Sequence, residues 1–339
     1  MGQIGLFDHE NRLKELSEMG DPLEIINRVI RWKNFRPVID RCFRKERKSN
    51  AGRPPYDYVL MFKILVLQTM YGLSDEQTQF HILDRLTFKR FLGLGAEECI
   101  PDQKTIWLFR EILTQNGAIK KLFDLFARQL NKAGYNAQKG QIIDASFVEV
   151  PRQRNTRDEN EELKNGQTPE EWEKHPAKLR QKDVDARWTK KNDETFFGYK
   201  NHTSVDAKHK LIRDYATTSA EVHDSQMLEN VLDPENSNGD VYADSAYSSD
   251  KIEKRLDYLW YRSRINLKGS RKGPLSEIQQ QGNRKKSRVR ARIEHVFAQI
   301  EAMCGGIIRC IGRHRAAAKI GLLNLVYNMR RFAYLESRA

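Results

Sequence analysis

Apolar residues recur with two different periods along the chain. The run at 56–72 is apolar almost all round, and at that length it predicts a buried helix. Ser74 and Gln77 can form a capping box, and Asp102 can cap a later helix. Further helices are therefore expected at 74–85, 102–115 and 118–133. The stretch 56–134 is predicted to be all-helical.

The period changes at residue 140. Residues 140–148 are short, β-branched and apolar, which is typical of a buried strand. Beyond it we expect a hairpin (199–206, 211–218), a helix (224–232), a strand (240–243), a helix (250–256), a strand (257–264) and helices at 287–303 and 315–335. Strands followed by interleaved helices predict an α/β fold, a mixed sheet flanked by helices.

The length of 339 residues suggests two domains. We place a helical N-terminal domain at 1–135 and the sheet domain, with the C-terminal helices, at 136–339. Residues 152–195 are rich in charge, Asn, Gln and Pro. That segment is long for a loop within a compact domain, so we expect it to be mobile or to contact a partner.

Composition narrows the class of protein. Hydrophobic residues make up 39%, no apolar run approaches the ~20 residues of a membrane helix, and the first residues lack a signal-peptide pattern. A cytoplasmic protein without a membrane partner is expected. The four cysteines form no CxxC pair, which favours reduced thiols and no structural zinc.

The net charge of +13 favours a polyanionic partner. The densest basic cluster, 284–292, holds six Lys or Arg in nine residues. Its members are candidate phosphate contacts, although a solvated helix face has the same pattern: Arg284, Lys285, Lys286, Arg288, Arg290 and Arg292. A second basic stretch, Arg41 to Lys48, is a weaker candidate.

Three carboxylates occupy informative positions. Asp144 lies in the first buried strand, where a charge is costly unless it is paired, Asp244 ends a later strand, and Glu294 lies on a helix. Adjacent strand ends and a facing helix could bring them together. Clustered carboxylates hold the pair of hard cations, roughly 4 Å apart, that phosphoryl transfer uses. Taken singly, an aspartate at a strand end is more often a cap or turn residue.

Several stretches resemble bacterial insertion-sequence transposases of the DDE class, specifically the IS-five (insertion sequence five) group. In chain order they are Gly52-Arg53-Pro54-Pro55-Tyr56, Leu73-Ser74-Asp75-Glu76-Gln77, Pro101-Asp102-Gln103-Lys104-Thr105, Ile143-Asp144-Ala145-Ser146, Phe197-Gly198-Tyr199-Lys200-Asn201-His202, Val222-His223-Asp224-Ser225, Ala243-Asp244-Ser245-Ala246-Tyr247 and Arg290-x-x-x-Glu294-His295. The resemblance covers about residues 50–335. Each motif alone is modest, but their shared order is specific.

The resemblance implies an RNase H-like fold and a metal-dependent DNA transposase. It maps the catalytic, metal-holding carboxylates onto Asp144, Asp244 and Glu294, with two Mg²⁺ ions for which Mn²⁺ may substitute. It implies double-stranded DNA as partner, both terminal inverted repeats and target DNA, and a homodimer on DNA because two ends are handled together.

Two positions depart from the family pattern. Many relatives carry Tyr where this chain has Ser287 and Lys where it has Glu301. Those side chains are thought to grip the DNA end, so the grip on DNA is in question here. Two rival functions stay open: a structure-specific RNase H-like nuclease, and a non-catalytic DNA-binding regulator derived from a transposase.

The helical region 50–134 is the candidate for recognition of the element end, since a helix in the major groove can distinguish bases. The helix at 102–115 is favoured, with Lys104 and Arg110 as candidate DNA contacts. Packing of the whole region as a scaffold is the alternative.

Overall fold

The computed structural model describes residues 8–44, 54–95, 97–191, 193–269 and 273–338. They form two compact units. One runs to Gln129 and includes the chain again from Leu325, and the other is Leu130–Asn324. From the sequence, the end of the chain was predicted to belong to the second domain. No helix within these ranges has the length and apolar character needed to cross a membrane.

The helical unit begins with eight helices. They are α1 (Asp8–Glu18), α2 (Pro22–Val29), α3 (Arg36–Cys42), α4 (Tyr58–Met70), α5 (Asp75–Asp84), α6 (Leu86–Leu92), α7 (Gln103–Gln115) and α8 (Ala118–Lys132). Both predicted caps are confirmed: Ser74 and Gln77 form a reciprocal capping box, and Asp102 Oδ1 accepts from Thr105 N at 2.7 Å. Of the basic stretch Arg41 to Lys48, the part from residue 45 lies outside the described residues.

An aromatic cluster forms the centre of the helical unit. Phe62 on α4 is fully buried, and its ring lies 4.9 Å from that of Phe35 and 6.3 Å from that of Trp32. Nine residues of the predicted apolar run are buried on α4. The prediction that this run forms a buried helix is confirmed.

The second unit is built on a mixed sheet. Its strands are β1 (Gln141–Glu149), β2 (Arg187–Lys191), β3 (Glu194–Asp206), β4 (Ile212–Ser219), β5 (Asp240–Tyr242) and β6 (Arg262–Ser263). The order is β2-β3-β1-β5-β6, with β4 also paired to β3. β1 is antiparallel to β3 but parallel to β5, and β5 is parallel to β6.

Helices flank this sheet. They are α9 (Arg157–Lys164), α10 (Glu170–Lys174), α11 (Pro176–Leu179), α12 (Asp250–Tyr258), α13 (Glu277–Arg290), α14 (Arg292–Cys304) and α15 (Arg313–Glu336), whose last residues belong to the helical unit. α13 contacts β5 and α14 contacts β1, while Leu256 of α12 packs in a buried cluster with Ile143 and Val241. The predicted mixed sheet flanked by helices is confirmed.

Gly140 permits the close approach of β1 and β5. Its φ of +86° is unfavourable for other residues, and a Cβ there would lie 2.7 Å from the carbonyl oxygen of Asp240. The register that follows therefore starts from a backbone position that requires glycine.

The segment 152–195 differs from the loop that was predicted. It contains α9, α10, α11 and β2, and Trp172 is fully buried with its Nε1 donating to Glu159 at 2.6 Å. Thr156 forms a capping box with Glu159 at the start of α9. The high density of polar residues in this segment obscured these helices in the sequence pattern.

Three element predictions need correction. The helix expected at 224–232 is a pair of short 3₁₀ turns, capped by His223 rather than by Asp224 or Ser225. The strand expected at 257–264 is reduced to β6, because α12 continues to Tyr258. The helix expected at 287–303 is two helices that break at Ala291, with α13 starting ten residues earlier, at Glu277.

Candidate active site

The register of β1 and β5 aligns two aspartates. In this parallel pair Gln141 lies opposite Val241 and Ile142 opposite Tyr242. Asp144 and Asp244 each follow two residues later. Since side chains alternate along a strand and parallel strands end at one edge of a sheet, both carboxylates belong to the same end of the sheet.

Asp144 is the buried member of the site, only 8% exposed. Its Oδ1 accepts from Ala145 N at 2.9 Å, and its Oδ2 accepts from Arg290 Nη1 at 2.9 Å. Burial raises the pKa of Asp144 to about 6, while the hydrogen bond from Ala145 and the Arg290 charge oppose that rise. The charges of Asp244 and Glu294 raise the same pKa further, so both carboxylates lie within electrostatic range of Asp144.

Asp244 begins a 3₁₀ turn at Ser245–Tyr247. Its Oδ1 accepts from Ala246 N at 2.8 Å. The carboxylate thus caps its own turn, which fixes the backbone at the end of β5. A capping role and a place in the site are compatible for this residue.

Glu294 lies in the first turn of α14, just past the break at Ala291. Its side chain is mostly exposed, at 64%. Arg290 connects it with Asp144, because the same Nη1 that bonds to Asp144 lies 4.0 Å from Glu294 Oε1. Arg290 thus links Glu294 to Asp144.

Comparison with known families gives two matches. Residues 136–329 match the transposase DDE domain, and residues 11–111 match a transposase domain known as DUF772. The chain belongs to the transposase DDE domain family. It is therefore a DNA transposase, an enzyme of DNA cleavage and strand transfer, and its sheet unit has the RNase H-like fold.

Among solved structures, one match is a piggyBac transposase in a synaptic complex with hairpin DNA. The two chains are 14% identical, with a TM-score of 0.48, and the match covers 94% of this chain and 76% of that chain.

DDE transposases use divalent metal ions, generally Mg²⁺. The donors in this site fit such an ion, because carboxylate oxygens are its preferred protein ligands. Three carboxylates and one guanidinium also leave a formal charge of −2, which a cation would offset. Within the described residues, however, no three His, Cys, Asp or Glu side chains are drawn together into a metal-binding group. Glu294 is exposed and Asp144 is engaged by Arg290, so the carboxylates are near each other without converging.

The basic cluster at 284–292 lies on α13 and at the start of α14, and its side chains differ in exposure and contacts. Arg284, Lys285 and Arg288 are exposed, and α13 has no buried residue. Lys286 instead donates to the carbonyl of Ile265 at 2.7 Å, and burial lowers its pKa. Arg292 donates to the carbonyl of Ala207 at 2.6 Å. Lys286 and Arg292 are held against the unit's own backbone, so their side chains have structural roles that the sequence did not predict.

The two candidate DNA contacts on α7, Lys104 and Arg110, also have different surroundings. Lys104 is exposed. Arg110 forms a two-pronged ion pair with Asp75, at 2.6 and 2.8 Å, and also donates to Gln68 at 2.8 Å. This interior network corrects the prediction for Arg110, because it commits the guanidinium to joining α7, α5 and α4.

Ser287, the residue that stands where many relatives carry Tyr, forms a hydrogen bond within the sheet unit. Ser287 Oγ accepts from Asn266 Nδ2 at 3.0 Å, at the sheet edge beside Asp244, because Asn266 N bonds to the Ala243 carbonyl at 3.2 Å. Asn283, one turn earlier, bonds both the N–H and the carbonyl of Leu267. Polar contacts thus attach α13 to the chain at Asn266 and Leu267.

Three buried polar atoms near the carboxylates have no hydrogen-bond partner among the described residues. They are Tyr247 Oη, Asn266 Oδ1 and Arg290 Nε. No pattern in the sequence pointed to Asn266, and Tyr247 was named only as part of a family motif. A further ion pair, between the buried Lys200 and the partly buried Asp224 at 2.8 Å, joins two motif residues whose contact the sequence could not show.

Proposed function

We propose that this transposase belongs to the IS-five group of insertion sequences and acts at the terminal inverted repeats of its own element. One strand is hydrolysed at the element end, and the freed 3′-hydroxyl then attacks a phosphodiester of the target DNA. The observation that supports this site best is the equivalent placement of Asp144 and Asp244 beyond paired β1 and β5, with Arg290 between Asp144 and Glu294.

Asp144, Asp244 and Glu294 are proposed as the catalytic residues and as the ligands of two Mg²⁺ ions, for which Mn²⁺ can substitute. When bound, such ions neutralise charge on the attacking and leaving oxygens of the phosphodiester. The chain's own contribution is to place three carboxylates on rigid elements, two at strand ends and one in the first turn of a helix.

Arg290 is proposed to have two roles. Its Nη1 keeps the buried Asp144 paired, which favours the ionised carboxylate against the cost of burial. Its Nε is buried and has no partner among the described residues. A phosphate oxygen of the DNA is the kind of acceptor that a guanidinium in this position binds, so we include Arg290 among the DNA contacts.

Double-stranded DNA is proposed to bind along the exposed side of α13. Arg288 is four residues after Arg284 and three after Lys285, so the three side chains lie within about 100° of one another around that helix, and all three are exposed. Such side chains position the phosphate backbone without reading sequence. Of the remaining predicted contacts, Lys286 and Arg292 are bound to backbone carbonyls and Lys104 is exposed on α7.

Recognition of the element end is assigned to the helical unit, with α7 as the favoured helix. A homodimer on DNA is part of the proposal, because terminal repeats and target DNA must be held together for strand transfer. A cytoplasmic location is also proposed, in keeping with its DNA substrate.

The test uses the full chain, Mg²⁺ and linear DNA that carries the flanking repeats of the element. We expect a nick at the repeat end that disappears with a chelator, followed by joining of the 3′ end to a second DNA. DNA with scrambled repeats of equal length is the control.

The two rival functions give different results in the same assay. A structure-specific nuclease would cut branched DNA irrespective of the repeat sequence. A non-catalytic regulator would bind the repeats and leave them intact in Mg²⁺ and Mn²⁺ alike. Either outcome would contradict the proposed function.

A further inference from the structure

One side of α13 is a stripe of polar residues. Four residues at the spacing i, i+3, i+4 and i+7 form it: Asn283, Lys286, Ser287 and Arg290. All four are half-buried, and α13, which is described throughout, has no buried residue. A helix that packs on a sheet normally presents apolar residues at this spacing. Hydrogen bonds, which depend on direction as well as distance, therefore hold α13 in place.

The first half of the stripe binds an extended segment that follows β6. The Asn283 side chain accepts from the N–H of Leu267 at 2.9 Å and donates to the carbonyl of the same residue at 3.0 Å. One turn later, Lys286 Nζ donates to the Ile265 carbonyl at 2.7 Å. Because an amide that pairs with both backbone groups of one residue fits at one position only, Asn283 fixes where α13 lies along this segment.

The same segment is hydrogen-bonded to the end of β5. Asn266 donates from its backbone N–H to the Ala243 carbonyl at 3.2 Å, directly before Asp244 in the chain. Its Nδ2 also donates to Ser287 Oγ at 3.0 Å. The stripe on α13 is thus anchored to the backbone beside one of the two aspartates.

Arg290 lies at the far end of the stripe and reaches β1. It follows Asn283 by seven residues, about 10 Å along the helix at a rise of 1.5 Å per residue. Its Nη1 donates to Asp144 Oδ2 at 2.9 Å. α13 therefore connects the segment after β6 with β1, and β5 is the strand between them. A shift of the helix along its axis would displace the guanidinium from Asp144 by the same distance.

We propose that Asn283 is a positioning residue of the cleavage site, which acts through Arg290 on Asp144. The inference rests on the proposed function, which places Arg290 and Asp144 in that site. The opposite side of α13 carries the exposed cations assigned to DNA phosphates, so the position of the stripe and the affinity for DNA are separable. Displacement of a catalytic group by about 1 Å can cost about 100-fold in rate.

The test begins with Asn283→Ala in the full chain. Its single-turnover rate of repeat-DNA cleavage in Mg²⁺, measured at saturating DNA, should fall by up to about 100-fold relative to wild type. Its affinity for the same DNA should be unchanged, because the exposed cations of α13 remain.

A double-mutant cycle with Arg290→Lys identifies the residue through which Asn283 acts. Lysine keeps a positive charge beside Asp144 but lacks the guanidinium. In that background Asn283→Ala should reduce the cleavage rate far less than it does in wild type, because there is no guanidinium left to position. The fall in melting temperature should also be smaller in that background, since both side chains hold the same helix. This second comparison requires neither metal nor DNA.

Asn155→Ala is the matched control. The Asn155 side chain also makes two hydrogen bonds, to Asn160 at 3.3 Å and from Lys182 at 2.6 Å, within the segment 152–195. Its loss should lower the melting temperature and leave the cleavage rate unchanged.

Cleavage by Asn283→Ala at the wild-type rate would overturn the inference. Equal losses of rate in the two backgrounds, or a loss in Asn155→Ala as large as that in Asn283→Ala, would overturn it as well. If wild type cut no repeat DNA, the proposed function would fail, and the melting temperatures would decide the inference separately. Unequal losses in the two backgrounds would support the link between Asn283 and Arg290, and equal losses would contradict it.

Discussion

Asp144 and Asp244 lie at equivalent positions on neighbouring parallel strands, each two residues beyond the last register pair, Ile142 and Tyr242. A shift of one residue in that pairing would turn the two side chains to opposite faces of the sheet. The site therefore depends on the register of β1 and β5, which starts directly after Gly140, as much as on the carboxylates themselves.

Neutralising the exposed side of α13 should weaken DNA binding for every sequence. In the variant with Arg284, Lys285 and Arg288 all changed to Ala, the log–log dependence of affinity on salt should flatten by up to about 2.7, or about 0.9 for each phosphate that the protein no longer neutralises. The measurement is affinity for duplex DNA at several salt concentrations.

Lys251 and Lys254 on α12 provide the control for that variant. Both are exposed, so changing them to Ala removes positive surface charge from a different helix. An unchanged salt slope in the α13 variant, or an equal change in the α12 variant, would show that α13 is a solvated face.

Lys104 and Arg110 should behave differently although both lie on α7. Arg110→Ala should destabilise the protein by about 1–3 kcal/mol, because Asp75 and Gln68 lose the guanidinium that donates to both. Lys104→Ala should keep wild-type stability and weaken binding to repeat DNA. The free energy of unfolding from denaturant titration and the affinity for repeat DNA are measured for both variants. Equal stability of the two variants would contradict the structural role of Arg110.

Stability should depend on pH through His202. Burial lowers the pKa of His202 to about 4, whereas an unfolded chain protonates histidine near 6.5. As pH falls through this window the unfolded state takes up the proton first, so the free energy of unfolding decreases. Between pH 7.5 and 4.5 the loss due to His202 should be about 2–3 kcal/mol.

His202→Gln should remove that part of the pH dependence, and His295→Gln, at an exposed position of α14, should retain it. The measurement is the free energy of unfolding at both pH values for the three proteins. A His202→Gln slope equal to that of wild type would show that His202 is not protonated differentially.

Local signals in the sequence predicted much of the fold. The capping residues Ser74 and Asp102 each bond to backbone within three residues, so their function is visible in the neighbouring letters. The hairpin of β3 and β4 follows from strand periodicity on either side of a short turn. In the segment 152–195, the capping box of Thr156 and Glu159 is also local but was not recognised, and the bond from Trp172 to Glu159 joins residues 13 apart.

The candidate site shows the same limit: contacts between residues far apart in the chain are not visible in the sequence. Strand ends and a family resemblance were enough to nominate Asp144, Asp244 and Glu294. The sequence could not assign Lys286 to the Ile265 carbonyl or Arg110 to Asp75, because those interactions span 21 and 35 residues. Charge is visible in a sequence, but whether a charged group faces solvent or its own backbone depends on packing.

The most direct measurement is cleavage of repeat DNA in Mg²⁺ by Asp144→Ala, Asp244→Ala and Glu294→Ala, beside Gln299→Ala as an exposed control on the same helix as Glu294. The three site variants should lose cleavage by at least about 1,000-fold, as expected when several kcal/mol of transition-state stabilisation are removed, and should still bind the repeats. Gln299→Ala should cut normally. Cleavage at the wild-type rate by any one of the three would remove that residue from the site.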